Sequence, residues 1–342
     1  MPEIVVVTGA SAGVGRATAH AFASQGAHLG LIARGTQGLQ AAAAEVEQRG
    51  GKALTLPTDI ADPDSVETAA QRVEDQFGPI DIWVNCAMAT IFAPFHHISP
   101  GEFRRATEVT YLGFVYGTMA ALKRMRPRNQ GTIVQVGSAL SYRAIPLQSV
   151  YCGAKFAIRG FTDSLRTELM HDGVDVHLVM VQMPALNTPQ FNWARNKMSR
   201  RPQPVPPIFQ PDIAAHAVVH AAHSRRREVW VGGSSLQAIV ANKFFPGLLD
   251  RYLAKNGYSS QLTDEPVDPR QPDNLFDPVP GDPGTHGRFD SRSSDWSLQL
   301  WATEHRGGLL AGALAIAGFI AAIAVGGRPL ARQLEGSGRE RT

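Results

Sequence analysis

The chain has 342 residues, 44% of them hydrophobic, and a formal net charge of +3. That length and apolar content allow a core of α/β-enzyme size plus an extension, and so small a charge gives no reason to expect a nucleic-acid partner. Two cysteines, Cys86 and Cys152, with no secretory signal before the first apolar run, point to reduced thiols in a cytosolic compartment.

Residues 4–7 are β-branched and predict a buried strand. They lead into Thr8-Gly9-Ala10-Ser11-Ala12-Gly13-Val14-Gly15 and an alanine-rich helix to about residue 25. Strand, glycine-rich turn and helix together aim a helix N-terminus at a phosphate. Gly9 permits the turn, Gly13 lets a phosphate approach the backbone, and Gly15 lets the helix pack close to the strand. Alone this is a weak signal. Residues 28–32 form the second strand, followed by Ala33-Arg34. An acid there would take a ribose 2′-hydroxyl, whereas Arg34 suits a 2′-phosphate.

Residues 37–48 predict a helix and 53–56 a third strand, with Thr58-Asp59-Ile60 in the next loop. Asp62-Pro63 opens a helix to residue 77, by an N-cap followed by proline at the first position. Residues 80–85 enter a fourth strand that ends in Asn85-Cys86-Ala87-Met88, and residues 101–126 form a long helix carrying Thr110.

Residues 131–138 read as a buried strand ending in the hydroxyl of Ser138. Thirteen positions on stands Tyr151-Cys152-Gly153-Ala154-Lys155. Tyr151 and Lys155 are four apart, so a helix stacks them on one face. A phenol's ordinary pKa of about 10 is too high for a base at neutral pH, and a fixed ammonium nearby favours the phenolate. Hydroxyl, phenol and ammonium together suit proton transfer to an oxygen whose carbon gains or loses a hydride. Cys152 inside this motif reads as small buried filler, with a catalytic thiol as the competing reading.

Residues 174–181 are the sixth strand, followed by Pro184-Ala185 and Thr188. Residues 186–211 mix Phe191, Trp193, Met198, Ile208 and Phe209 with four cations, and five prolines stiffen the second half and exit. Such a loop either receives a lipophilic substrate or packs on a core of its own. Residues 212–223 place His216, His220 and His223 on one helix face. No acid completes a ligand set, so no metal site is expected. Residues 228–231 are the last strand, preceded by Arg225-Arg226-Arg227, a run better read as solvated than as nucleic-acid binding. Residues 236–253 are apolar, broken at Pro246, and close the fold.

The glycine spacing and the Ser138, Tyr151, Lys155 set resemble the short-chain dehydrogenase/reductase family over about residues 3–253. The resemblance implies an α/β fold, a Rossmann-like doubly wound parallel sheet of seven strands in the order 3-2-1-4-5-6-7, and a homo-oligomer. It implies interconversion of a secondary alcohol and a ketone or aldehyde with NADP(H). Tyr151 would exchange the proton, Ser138 hold the substrate oxygen, and Lys155 lower the tyrosine pKa and hold the nicotinamide ribose. Thr110 stands where the family has a relay asparagine. Thr8, Gly9, Ser11, Gly13, Val14, Gly15, Arg34, Asp59, Ile60, Asn85, Ala87, Pro184 and Thr188, with Tyr151 and Lys155, would bind the cofactor. Cys86, Met88, Thr110 and Ala185 depart from the family pattern. They are consistent with a competing reading, a membrane-tethered NADP(H)-binding scaffold or sensor without turnover, against which the intact Ser-Tyr-Lys set stands.

After the 1–258 catalytic domain the composition changes. Residues 259–304 hold six prolines and nine acids against three arginines and predict a mobile polar linker. Residues 307–327 carry no charge between Arg306 and Arg328, and Trp296 and Trp301 lie upstream. As a helix of about 30 Å the stretch matches a bilayer core, so 305–328 is expected as a membrane helix, with a basic tail over 329–342. Cofactor and reduced cysteines place the catalytic domain on the cytoplasmic side of that membrane.

Overall fold

The computed structural model describes residues 1–309 apart from Pro269, together with 311–313, 316 and 317. Its central sheet has strands β1 (Ile4–Thr8), β2 (His28–Ala33), β3 (Lys52–Pro57), β4 (Ile82–Asn85), β5 (Gly131–Ser138), β6 (Val176–Met183) and β7 (Glu228–Trp230). All six pairings are parallel, and the order is β3-β2-β1-β4-β5-β6-β7, the order expected. Parallel strands covered on both faces read as continuous apolar runs, and Val5, Val6 and Val7 are fully buried.

Helices α1 (Gly13–Ala23), α2 (Thr36–Gln48), α3 (Pro63–Phe77), α4 (Pro100–Thr107), α5 (Gly113–Arg128), α6 (Ser149–His171) and α7 (Pro211–Ala222) connect the strands. Asp62 caps α3 by accepting from the backbone N–H of Asp64, with Pro63 at its first turn. Two further helices, α8 (Gly233–Phe244) and α9 (Pro246–Asn256), meet at the break expected from Pro246. The chain order reverses between β1 and β4, so the carboxyl ends of β1, β4 and β5 open onto one crevice, where open α/β sheets bind ligands.

The helix expected over 101–126 is not continuous. A π-helical turn, Glu108–Leu112, separates α4 from α5, and such insertions gather at functional sites.

The expected linker is the main correction. The chain packs as one unit from Met1 to Ser297, so most of 259–304 belongs to the fold. Leu262–Pro266 pairs antiparallel with Arg200–Pro202, and Ser293–Ser294 pairs with Ile208–Phe209. Leu275 and Phe289 are buried, and the acids of the segment meet arginines of the fold, as in Asp273 with Arg195 at 2.9 Å. Those acids read as solvated because their partners lie far away in sequence. A short helix, Leu298–Glu304, lies beyond that unit. Among the described residues no helix is long and apolar enough to cross a membrane. Most of the expected membrane helix and all of the basic tail lie outside the described residues.

Candidate active site

One cavity of about 530 Å³ runs along the crevice. Gly9, Ser11, Gly13, Val14 and Gly15 line it, as do Ser138, Tyr151 and Lys155 with Ala87, Pro184 and Thr188. β5 delivers Ser138 at its carboxyl end, and α6 carries Tyr151 and Lys155 one turn apart, as their spacing requires.

Ser138 is buried, and its hydroxyl accepts from the backbone N–H of Leu140 at 3.1 Å. Burial pushes the Tyr151 phenol above its ordinary pKa, while the hydrogen bond with Ser138 pulls it down. Burial lowers the Lys155 ammonium to about 8. That ammonium donates to the carbonyl of Val136 at 2.7 Å and lies 4.6 Å from the Phe114 ring centroid and 5.5 Å from that of Tyr151. The expectation that Lys155 depresses the phenol is therefore not met in this arrangement. The ammonium sits against the face of the ring and turns to a backbone carbonyl, so desolvation governs the tyrosine.

The glycines fit the expected cradle. A Cβ on Gly9 would stand 2.9 Å from the Cα of Ala87, and one on Gly15 would stand 2.3 Å from the carbonyl oxygen of Gly9. The N-terminus of α1 has no side-chain cap and no acid in its first turn, which suits an anion. A second cavity, about 130 Å³, is lined by Arg34, Asp59 and Ile60 together with Asn274, Pro278 and Pro283. Asp59 is held there by Arg105, 2.5 Å away.

Three expected site residues are placed elsewhere. The Thr8 hydroxyl accepts from the backbone N–H groups of Cys86 and Ala87 at 2.9 and 3.1 Å, fixing the loop after β4. Asn85 is fully buried. Its amide accepts from the Trp83 indole and donates to Thr118 and Gln135, tying β4 to α5 and β5. Neither residue lines the crevice, because both side chains turn into the core at the strand ends. Thr110, in the π-helical turn, gives its single hydroxyl proton to the carbonyl of Ala89 at 2.8 Å and accepts from the Ala89 N–H at 3.0 Å. It pins the same loop, and its proton is directed away from any relay.

Both cysteines are free thiols. Burial raises Cys86 to about 12 and Cys152 to about 11, so neither forms the thiolate that reactivity needs. The 186–211 loop packs on a small core of its own and also lines the large cavity. Phe191 and Ile208 pack with Phe92 and Phe289 in a small core, while Leu186 and Trp193 face the large cavity together with Leu140, Ile145, Leu249 and Leu253. Asn274, Pro278 and Pro283 were not legible as site residues, since nothing within 259–304 marks them beyond an isolated Leu275-Phe276 pair.

A family model described as short chain dehydrogenase matches residues 3–198. An uncharacterized oxidoreductase of Bacillus subtilis, YxnA, is 31% identical over 296 residues, covering 85% of this chain and 83% of that protein. The 3-dehydrosphinganine reductase of Danio rerio is 32% identical over 192 residues, which are 55% of this chain and 57% of that enzyme. The chain thus spans little more than half the length of that second relative. Among solved structures, an alcohol dehydrogenase from the archaeon Thermococcus sibiricus, complexed with 5-hydroxy-NADP, is 28% identical with a TM-score of 0.58. The match covers 68% of this chain and 96% of that one.

Proposed function

This chain belongs to the short chain dehydrogenase family and is an oxidoreductase of the alcohol type, and we propose that it uses NADP(H) to interconvert a lipophilic secondary alcohol and a ketone or aldehyde. The observation that carries this reading is the convergence of Ser138, Tyr151 and Lys155 on the same cavity as the glycine-rich turn and an apolar wall.

The bound dinucleotide supplies or takes the hydride. The residues present fit it: a helix without a side-chain cap, a tight glycine turn, and Arg34 and Asp59 lining the adjoining cavity. Arg34 supports NADP(H) over NAD(H), and the Thermococcus sibiricus structure, which holds 5-hydroxy-NADP, agrees with that choice. Tyr151, its phenol held protonated by burial, donates to the substrate oxygen in reduction and recovers the proton in oxidation. Ser138 donates its hydroxyl proton to the same oxygen and fixes its distance from the phenol. Lys155, buried and cationic below about pH 8, presents N–H donors to the ribose and electrostatic support to a developing phenolate. The apolar lining from Leu140, Ile145, Leu249 and Leu253 excludes water and favours a lipophilic substrate. A panel of apolar ketones read by loss of NADPH absorbance tests the reading. Turnover of at least one supports it, and a protein that binds NADPH but turns over none is the scaffold instead.

In the same reading, residues 305–328 tether the enzyme to a membrane with its catalytic unit on the cytoplasmic side. The uncharged stretch at 307–327 supports this. Fractionation of the full chain against one ending at Ser297 is the test, and a full chain recovered without detergent removes the tether. Met119, Phe156 and Met170, exposed on α5 and α6, support pairing with a second copy. Sedimentation of the chain ending at Ser297 would show whether it is a monomer.

A further inference from the structure

Residues 273–289 line the crevice through Asn274, Pro278, Val279, Gly281 and Pro283 and are fastened to the elements expected to hold the dinucleotide. Asn274 donates from its backbone N–H to the carbonyl of Trp193 at 3.0 Å. Leu275 is fully buried in the main core among residues that include Ile60, Ala106 and Val109. The carbonyl of Leu275 accepts from Arg105 at 3.1 Å. Arg34 donates to the carbonyl of Phe276 at 2.5 Å and also to that of Asn274. The N–H of Gly281 donates to the Gln37 side chain at 2.7 Å. Asp282 pairs with the buried guanidinium of Arg16 on α1. The N–H of Gly13 donates to the carbonyl of Gly284 at 3.1 Å, and that of Gly287 to the carbonyl of Asn187. Thus the glycine-rich turn, α1, the end of β2, α2 and the loop after β6 all hold one late segment.

Three features decide what this segment does. It takes the Gly13 N–H through Gly284 but does not fill the crevice, because a 130 Å³ cavity lined by it together with Ile32, Asp59, Ile60 and Val109 remains. That cavity is lined by the glycine-rich turn and the end of β2 together with Asn274, Pro278 and Pro283. Finally, a guanidinium has five N–H donors in a planar fork. The two bonds to strap carbonyls leave donors with which Arg34 can meet a phosphate.

We propose that residues 273–289 are the outer wall of the dinucleotide site, a strap that encloses the adenosine end and that Arg34 clasps from within. This rests on the NADP(H) reading given above. The dinucleotide then enters and leaves only when the strap lifts, and an arginine shared by strap and 2′-phosphate makes closure and phosphate recognition support each other. The strap therefore slows release more than entry.

The test is the kinetics of NADPH binding to the full chain, followed by nicotinamide fluorescence on mixing and on displacement with excess NADP⁺. Asp282→Asn loosens one fastening, and Arg16 keeps Glu45 as its partner at 2.7 Å, so no buried charge is orphaned. Leu275→Ala, a second variant, loosens the strap from the core side. For each variant whose thermal transition stays cooperative, dissociation should accelerate about tenfold and association by less, so that affinity falls. Unchanged dissociation in Asp282→Asn and in Leu275→Ala overturns the wall. Faster association with tighter binding overturns it too, since that is the behaviour of a plug. If the wild-type chain does not bind NADPH, the cofactor reading fails first; if it binds and release is insensitive to the strap, only the strap proposal fails.

Discussion

Lys155 donates to the main-chain carbonyl of Val136 at 2.7 Å, with its ammonium over the ring of Tyr151, 5.5 Å from the centroid. A buried lysine whose pKa falls from 10.5 to about 8 makes the native state reluctant to hold that proton. Between pH 8 and 10.5 the unfolded chain binds more protons than the folded one, so this group's contribution to stability rises with pH across that window. At neutral pH the ammonium is a cost retained for chemistry. Lys155→Met is expected to gain on the order of 1–3 kcal/mol in urea unfolding at pH 7 and to lose both turnover and NADPH affinity. A destabilised variant that keeps its activity would contradict this.

Arg34→Asp removes ionic hydrogen bonds worth about 1.5–3 kcal/mol and places an acid against the 2′-phosphate. NADPH affinity should drop at least tenfold, with NADH affected less. Fluorescence titration of both cofactors measures it, and a wild-type chain preferring NADH would remove Arg34 from the account.

Thr110 supports the loop after β4 through its paired bonds with Ala89. Thr110→Val leaves both backbone groups of Ala89 without that partner and should cost about 1–3 kcal/mol. Turnover per folded molecule should stay within a few-fold of wild type. A rate loss of a hundredfold with unchanged stability would restore the relay role instead.

Glu102 carries the clearest acid response. Burial alone would raise its pKa, but hydrogen bonds from Lys197, Arg195 and Ser99 prevail and hold it at about 2. A carboxyl depressed in the folded state contributes stability that is full above about pH 4.5 and is lost as pH falls towards 2. The shift corresponds to on the order of 3 kcal/mol. In Glu102→Gln, urea midpoints compared at pH 7 and pH 3 should show a smaller acid loss than wild type. Parallel acid loss in both chains would place the effect elsewhere.

What the sequence made legible was local. The β1–turn–α1 unit and the Tyr151–Lys155 pair depend on spacing within one turn or one helix, and the structure places both on the crevice. Thr8 and Asn85 misled because a side chain at a strand end turns either into the crevice or into the core, and neighbouring sequence does not decide which. The strap was illegible for a different reason. Its anchors are a few residues in a polar stretch, and its ion pair with Arg16 joins positions 266 apart. A segment held by distant partners has the composition of a linker until the fold supplies them.

Tyr151→Phe tests the central claim most directly, because it removes one oxygen and its proton and leaves the ring. With an apolar ketone that the wild type reduces, the account expects the turnover number to fall at least a thousandfold while NADPH affinity by fluorescence titration stays within about threefold. A Tyr151→Phe enzyme retaining near wild-type turnover would contradict the mechanism.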